Sequence, residues 1–249
     1  MEILDILLLG TVTFLISGSI KGLTGIGLPT VSMGILTLFM APRLAIALML
    51  LPMLLSNLWQ VIREGEIRVS LKRFRVFATV IFISVGITAL ATQNVSDRVL
   101  LAVLGVVILL FVGFSLKGWV PRVAPGYDIL AQGLFGLLSG ILGGLISGWA
   151  APLAIYLTMS RADREWFIRG TGMLIFAGSV PLTVAYLWTG QMDAQLFAIS
   201  ACMLIPTFAG FTLGEALRRR VPVAIFHKLV LGMFAFLGMN LLRRAIWYG

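Results

Sequence analysis

Long apolar runs separated by short polar links make up almost the whole chain of 249 residues. Most runs approach the roughly 20 residues that a helix needs to cross a membrane core of about 30 Å. The pattern predicts ten hydrophobic helical segments in two sets of five: Ile3–Ile20, Leu28–Met40, Leu44–Ile62, Phe74–Thr92 and Val99–Leu116, then Ile129–Ile146, Pro152–Met159, Ile168–Trp188, Ala194–Leu213 and Ala224–Leu242.

The two sets share a motif. The glycine-rich segment from Ser17 to Pro29 reappears as the segment from Ser139 to Pro152. Both halves also place a proline seven residues before a tryptophan, at Pro52 and Trp59 and at Pro181 and Trp188. Duplicated hydrophobic segments interrupted by glycine and proline are typical of secondary transporters, which bind substrate between two repeats near the membrane midplane. We therefore expect two membrane repeats, residues 1–120 and 127–249, with no soluble domain.

The second run of each set is too short to cross alone: Pro152–Met159 has eight residues, about 12 Å of helix. The first two runs then form either one broken crossing or a hairpin that returns to its starting side. Broken crossings put nine basic loop residues on each side of the membrane. Hairpins put four on one side (Arg43, Arg98, Arg243 and Arg244) and fourteen on the other: Arg63, Arg68, Lys72, Arg73, Arg75, Lys117, Arg122, Arg161, Arg164, Arg169, Arg218, Arg219, Arg220 and Lys228.

The positive-inside rule favours the uneven distribution. The predicted fold is therefore an all-α polytopic membrane protein of two inverted-topology repeats. Each repeat is a glycine-broken helical hairpin plus three transmembrane helices, and both termini lie outside.

Composition agrees with a membrane protein. Hydrophobic residues make up 59% of the chain and charged residues 12%, against about 25% charged in soluble domains. The net charge of +9 lies mostly in links between apolar runs, which indicates topology and argues against nucleic-acid binding. The start, Met1-Glu2-Ile3-Leu4-Asp5, has no basic segment before its apolar run, so we expect a membrane helix there and not a signal peptide.

The glycine-rich motifs are the candidate binding site. Gly22, Gly25 and Gly27 before Pro29, and Gly143, Gly144, Ser147 and Gly148 before Pro152, are expected to break their helices. Unwound backbone at membrane depth is tolerated where it is buried or lines a wet cavity. The amides that begin the returning half-helices would there attract an anion. The alternative is that these glycines let helices pack closely.

Polar side chains near the motifs complete the candidate set. Lys21 is the only charged residue inside them, and it either attracts the anion or extends to the headgroups as an anchor. Asn57, Gln60, Thr24 and Ser147 offer uncharged donors suited to reversible anion binding. The predicted substrate-binding residues are Lys21, Gly22, Thr24, Gly25, Gly27, Asn57, Gln60, Gly144, Ser147 and Gly148.

Other chemistry finds no support in the sequence. All ten acidic residues fall at the ends of predicted segments, so no buried carboxylate is expected as a proton relay. The one histidine, His227, and the one cysteine, Cys202, form no metal or catalytic cluster. We expect no enzyme activity, metal or cofactor.

The Lys21-Gly22-x-x-Gly25-x-Gly27 motif before Pro29, its counterpart in the second half and the five-run halves resemble the TauE/SafE-like family of bacterial sulfite exporters. The resemblance covers essentially the whole chain. It implies a multi-pass protein of the bacterial inner membrane that exports sulfite, sulfonates or other small organic anions.

The leading interpretation is thus a secondary transporter, and the alternative is an anion channel. The expected partners are a small anionic substrate, the lipid bilayer and, in a homo-oligomer, further copies of the chain.

Overall fold

The computed structural model describes residues 2–117, 122–124, 126–217 and 223–247, and all secondary structure in them is helical. The helices are α1 (Ile3–Thr24), α2 (Leu28–Leu36), α3 (Pro42–Glu64), α4 (Ile67–Ala91), α5 (Asp97–Lys117), α6 (Asp128–Ile146), α7 (Ala150–Met159), α8 (Arg164–Trp188), α9 (Ala194–Cys202), α10 (Leu204–Leu217) and α11 (Val223–Trp247). Arg218, Arg219 and Arg220 of the topology argument lie outside the described residues, as do the side chains of Lys117, His227 and Lys228.

Seven helical stretches in the described part of the chain are long and apolar enough to cross a membrane. Many of their large apolar side chains face outward, including Leu8, Ile87 and Leu110 at 56–64% exposure. Outward-facing apolar side chains on membrane-length helices are what lipid solvation requires. The predicted all-helical, multi-pass membrane class is confirmed.

Several predicted segment bounds were wrong. α4 begins at Ile67, in the basic stretch before the predicted Phe74, and a non-helical Phe74 (φ −106°) kinks it there. The predicted Ala194–Leu213 segment is two helices that meet at Met203, just before Pro206. Proline disfavours an uninterrupted helix because it lacks the amide that would bond four residues back.

The helix breaks also differ in position from those predicted. α1 continues through Gly22 and ends at Thr24, and α6 continues through Gly143 and Gly144 and ends at Ile146. These three glycines therefore do not break their helices, contrary to prediction. The backbone turns at Gly25 and Gly27 in the first half and at Ser147 in the second.

Gly22 and Gly144 instead allow close helix packing. A Cβ at Gly22 would lie 2.2 Å from the Phe211 carbonyl oxygen on α10, and one at Gly144 would lie 2.8 Å from the Val85 carbonyl oxygen on α4. Neither backbone could approach so closely if the glycine carried a side chain. Small residues at such spacing are how membrane helices associate, and here they join α1 to α10 and α6 to α4.

Helix directions follow from contacts at successive levels. Gly18 lies against Thr207 and Gly22 against Phe211, so α1 and α10 run in the same direction. Farther along α10, Glu215 pairs with Arg63 near the end of α3. Ser200 on α9 accepts a hydrogen bond from the amide of Leu51 earlier in α3. α3 therefore shares the direction of α9, α10 and α1.

The short helices α2 and α7 each fold back along the helix before them. The Ser32 hydroxyl on α2 donates to the Ser17 hydroxyl on α1 at 2.9 Å, although fifteen residues separate them. The Tyr156 hydroxyl on α7 donates to Asp128, the first residue of α6, at 3.0 Å. Each pair is thus a hairpin, which agrees with the hairpin alternative and not with a broken crossing.

α3 and α8 form the interior of the bundle. In both, 72% of the most apolar 18-residue window is buried, against 33–39% in the other candidate spans of the described residues. The tip of the first hairpin bonds to α3 and α8 through Gly25, and Trp149 at the second packs against Gly178 on α8. α5 and α11 pack against each other. This arrangement brings the two helix breaks together.

Candidate functional site

The two helix breaks line a single cavity of about 320 Å³. Thr24 and Gly27 reach it from the first break, and Ser147 and Gly148 from the second. Its remaining walls come from the end of α1, the first break, α2, α5, α7, the start of α8 and α11. The residues are Ile20, Ile26, Thr30, Met33, Leu104, Val107, Ile108, Phe111, Ser115, Ala151, Ala154, Thr158, Phe167, Leu231 and Phe234. A volume of this size suits a small molecule.

The first break is a tight reversal built on two glycines. α1 closes with the Gly25 amide donating to the Lys21 carbonyl at 2.7 Å, and Gly25 has φ +82°. Gly27 follows with φ +115° and begins α2. L-residues with side chains rarely adopt such φ values, so glycine fits both positions. The Thr24 hydroxyl accepts from the Ile26 amide at 3.2 Å, which holds the turn.

The first turn of α2 lies beside the cavity. Gly27 begins the helix and lines the cavity, so its first turn lies at the wall. The amides of the first turn of a helix have no partner four residues back. Pro29 in this turn has no amide, which leaves those of Leu28 and Thr30. The positive end of the helix dipole favours negative charge there.

The second break turns on Ser147, which has φ +54°. Its amide donates to the Gly143 carbonyl at 2.9 Å and closes α6. Its side chain is 1% exposed, and its hydroxyl has no hydrogen-bond partner although it belongs to a residue that lines the cavity. A buried polar group without a partner is costly, and a polar ligand that displaced the atoms covering this hydroxyl would supply one.

Trp149 fixes the position of the second break by packing against α6 and α8. It is fully buried, and its ring packs into the spaces left by Gly143 on α6 and Gly178 on α8. α7 starts directly afterwards at Ala150, with Pro152 in its first turn. The tryptophan therefore fixes the start of α7 at the cavity wall formed by Gly148 and Ala151.

Polar side chains from α3 and α8 support the first break on the side away from the cavity. The Gln60 side-chain amide donates to the carbonyls of Gly25 at 3.2 Å and Ile168 at 2.8 Å. The Thr171 hydroxyl also lies within hydrogen-bonding distance of both carbonyls. These bonds tie the tip of the first hairpin to the start of α8.

Lys21 lies in the same layer. It is 1% exposed, the only charged side chain buried to this degree among the described residues, and its ammonium donates to the Asn57 side-chain oxygen. Asn57 donates in turn to the Met53 carbonyl at 2.7 Å. Burial of the ammonium group means that it does not extend to the headgroups as an anchor would.

The structure brings together part of the predicted set. Thr24, Gly27, Ser147 and Gly148 line the cavity. The other six residues do not: Lys21, Asn57, Gln60 and Gly25 lie in the supporting layer between the first break and α3 or α8, and Gly22 and Gly144 lie in helix interfaces. Direct substrate contact by Lys21, Asn57 or Gln60 would therefore require the cavity to change shape, and we assign them to positioning.

Sequence reasoning missed two hydroxyl residues of the cavity wall, Ser115 and Thr158. Ser115 had a signal, because it is a polar residue in the most apolar candidate span, whose mean hydropathy is 3.0. Phe111 and Phe234, in edge contact with ring centres 6.0 Å apart, were missed as well. They form an apolar wall from α5 and α11, which no local pattern indicated.

The cavity can bind but offers little for covalent chemistry. No titratable side chain lines it among the described residues, and no cluster in that part of the chain could hold a metal ion. Hydroxyl groups and helix amides are hydrogen-bond donors without fixed charge. Groups of this kind can bind a polar ligand reversibly, and the wall from α5 and α11 is apolar apart from Ser115.

No curated protein and no solved structure matches the chain. A family model described as Sulfite exporter TauE/SafE matches residues 10–241, which include at least part of each of the eleven helices. With its paired hairpins and shared cavity, the chain belongs to the TauE/SafE sulfite exporter family of membrane transporters.

Proposed function

We propose that this protein is a secondary transporter that exports small sulfur-containing or organic anions, such as sulfite or sulfonates, and that the substrate binds between the two helix breaks. The observation that carries the proposal is the Ser147 hydroxyl, which is buried without a partner in the wall of the cavity. The first turns of α2 and α7 meet the same cavity. Family membership supports transport.

The cavity composition favours an anion that carries an apolar part. Thr24 and Ser147 place donor groups at the breaks, whereas Leu104, Phe111 and Phe234 form an apolar wall. A sulfonate or carboxylate group would bond to the hydroxyls and amides, and its carbon chain would contact the apolar wall. Sulfite alone would occupy the polar side.

Two inverted repeats, residues 1–120 and 127–249, are part of the same proposal. α1 and α3 run in one direction, as described above. Between α6 and α4, Gly136 lies against Phe77 and Gly144 against Thr88, so these two helices run in the same direction. α1 from the first half packs against α10 from the second, and α6 from the second half packs against α4 from the first. A two-fold axis in the membrane plane that exchanges the halves would relate these two pairs.

The proposed orientation places both termini outside the bacterial inner membrane. Its support is the fourteen-to-four distribution of basic residues in the hairpin topology. In this orientation the α4 end that carries Arg68 and Arg73 is cytoplasmic.

Export needs no proton-relay carboxylate in this proposal. No aspartate or glutamate is among the buried polar side chains of the described residues. An inside-negative potential of 100 mV favours outward movement of a monovalent anion by about 2.3 kcal/mol. That free energy sustains a gradient of roughly fifty-fold.

The test compares Ser139, which lies within α6, with Ser147, which directly follows its end. Ser147 and Ser139 are both buried with unpartnered hydroxyls, but only Ser147 lines the cavity. Ser147→Ala should weaken the apparent affinity for sulfite in proteoliposomes by about tenfold or more, since a hydrogen bond to a charged group contributes about 1.5–3 kcal/mol. Ser139→Ala should transport normally.

If both variants had the same apparent affinity for sulfite, the cavity would not be part of the substrate path. Saturable flux is expected of the wild type with sulfite, an alkanesulfonate or acetate as the probe. Flux that rises linearly with anion concentration up to tens of millimolar would instead indicate a channel.

A further inference from the structure

A second cavity, of about 280 Å³, lies at the opposite end of the second hairpin from the helix break. It is formed by the start of α6, the end of α7, Arg73 on α4, and residues 122–124 and 126. Arg73, Arg122 and Arg161 line it, together with Asp128, Tyr156 and Ser160. The Val123 amide donates to the Met159 carbonyl at 3.2 Å, which holds the connecting segment against α7.

The one carboxylate of this cavity does not neutralise its arginines. Tyr156 donates to one oxygen of Asp128 at 3.0 Å, and Gln132 donates to the other at 2.7 Å. In the part of the chain that the structure describes, no carboxylate oxygen lies within 4 Å of the side-chain nitrogens of Arg73, Arg122 or Arg161. Three guanidinium groups against one carboxylate leave the cavity with a net charge of about +2 at neutral pH.

One of the three arginines is held in place by an aromatic ring. The Arg73 guanidinium lies over the Trp166 ring, 4.3 Å from its centre. This contact orients the planar group and leaves its edge free for hydrogen bonds. The arginine fork matches the oxygens of a phosphate group.

The cavity also adjoins lipid-facing surface. Tyr127, Ile129 and Leu130, on either side of Asp128, are 61–67% exposed. Apolar side chains so exposed on a membrane-length helix meet acyl chains, and a tyrosine at a helix end is typical of the headgroup layer. A basic pocket at this level is suited to an anionic lipid headgroup.

We propose that this cavity binds the phosphodiester headgroup of an anionic phospholipid, with Arg73, Arg122 and Arg161 as phosphate ligands. The bound lipid joins α4, α6 and the end of α7 to residues 122–124. Because α7 begins at the helix break and ends at this cavity, the lipid holds the C-terminal end of the helix whose first turn faces the transport cavity. The proposal does not depend on the identity of the transported anion.

Lipid binding to the purified, delipidated protein tests the proposal without any transport measurement. Phosphatidylglycerol is added in detergent, and retained lipid is counted by native mass spectrometry while the unfolding temperature is recorded. The wild type should retain phosphatidylglycerol in preference to phosphatidylcholine and should be stabilised by it. The double variant Arg122→Gln/Arg161→Gln should lose affinity by at least about tenfold.

Arg68→Gln is the matched control. Arg68 is an exposed arginine in the first turns of α4 and lies outside the cavity. Its replacement by glutamine removes the same type of charge as the changes in the double variant. It should retain the lipid as the wild type does. The arginines of the double variant are exposed, so both variants should fold.

Three results would overturn the proposal. Wild-type affinity in the double variant would show that the arginines are not the ligands. Equal retention of phosphatidylcholine would show that charge is not recognised. The third result is that inorganic phosphate alone raises the unfolding temperature fully, so that phosphatidylglycerol adds no further stabilisation. That result would make the cavity a site for a soluble phosphate and not for a lipid.

Discussion

Replacement of Lys21 separates an electrostatic role in transport from a structural one. The ammonium group is 1% exposed, has a neutral partner in Asn57, and does not line the cavity. Thr24, one helical turn further on, does line it. Lys21→Gln removes the charge and keeps a hydrogen-bond donor for the Asn57 oxygen.

The expected loss of affinity follows from the distance. One helical turn rises about 5.4 Å, so an anion beside Thr24 lies on the order of 10 Å from the ammonium nitrogen. With an effective dielectric constant of about 20, the attraction is roughly 1.7 kcal/mol, or about fifteen-fold in affinity. Burial limits screening, so the loss should persist at 0.3 M salt.

Stability should move in the opposite direction. A buried charge without a charged partner carries a desolvation cost, so Lys21→Gln should unfold at the same temperature as the wild type or higher. Lys21→Arg should recover part of the affinity, because it restores the charge with a different shape. A merely structural lysine would lower affinity and stability together when replaced.

The assay is sulfite flux into proteoliposomes over a range of concentrations, with membrane abundance measured alongside. Lys72→Gln, which removes an exposed lysine on α4, is the control and should match the wild type. Wild-type affinity for sulfite in Lys21→Gln, at equal abundance, would refute the electrostatic role.

Three further predictions concern orientation, the breaks and energetics. In a protein lacking Cys202, a cysteine placed within residues 189–193 should react with an impermeant thiol reagent from outside intact cells, and one within residues 70–74 should not; the reverse pattern would exclude the proposed orientation. Gly148→Leu should abolish transport, because its Cβ would lie 2.8 Å from the Ile146 side chain and displace it at the cavity wall. Gly25→Leu should lower abundance, because φ +82° costs a side chain roughly 1–2 kcal/mol and its Cβ would meet Ile168. Normal transport by Gly148→Leu would place the substrate elsewhere. An imposed inside-negative potential should accelerate sulfite efflux from proteoliposomes, and unchanged flux would rule out electrogenic export.

The glycines show how far residue type alone could lead. Sequence identified both glycine-rich motifs as special but assigned Gly22, Gly25 and Gly27 the same role. In the fold, Gly25 and Gly27 have positive φ, and Gly22 stays helical against the α10 backbone. Glycine serves both purposes because it lacks a Cβ, and only the neighbouring helix distinguishes them.

Asn57 and Gln60 show the same limit for polar groups. Their burial near the motif was expected, but their partners were not: Gln60 bonds to Gly25 and Ile168, which are 35 and 108 residues away. Whether an amide faces a cavity or supports a turn depends on groups brought close by folding.

The sequence by itself determined the membrane class, the duplicated glycine-rich motif and the approximate place of each break. These properties follow from local rules, since a segment in lipid must satisfy its own backbone and expose apolar side chains. Only the tertiary structure decided which break residues share a cavity, that Phe111 and Phe234 close it, and that Lys21 lies behind it. Those relations arise when helices distant in sequence pack together, and the packing depends on the shapes of both surfaces.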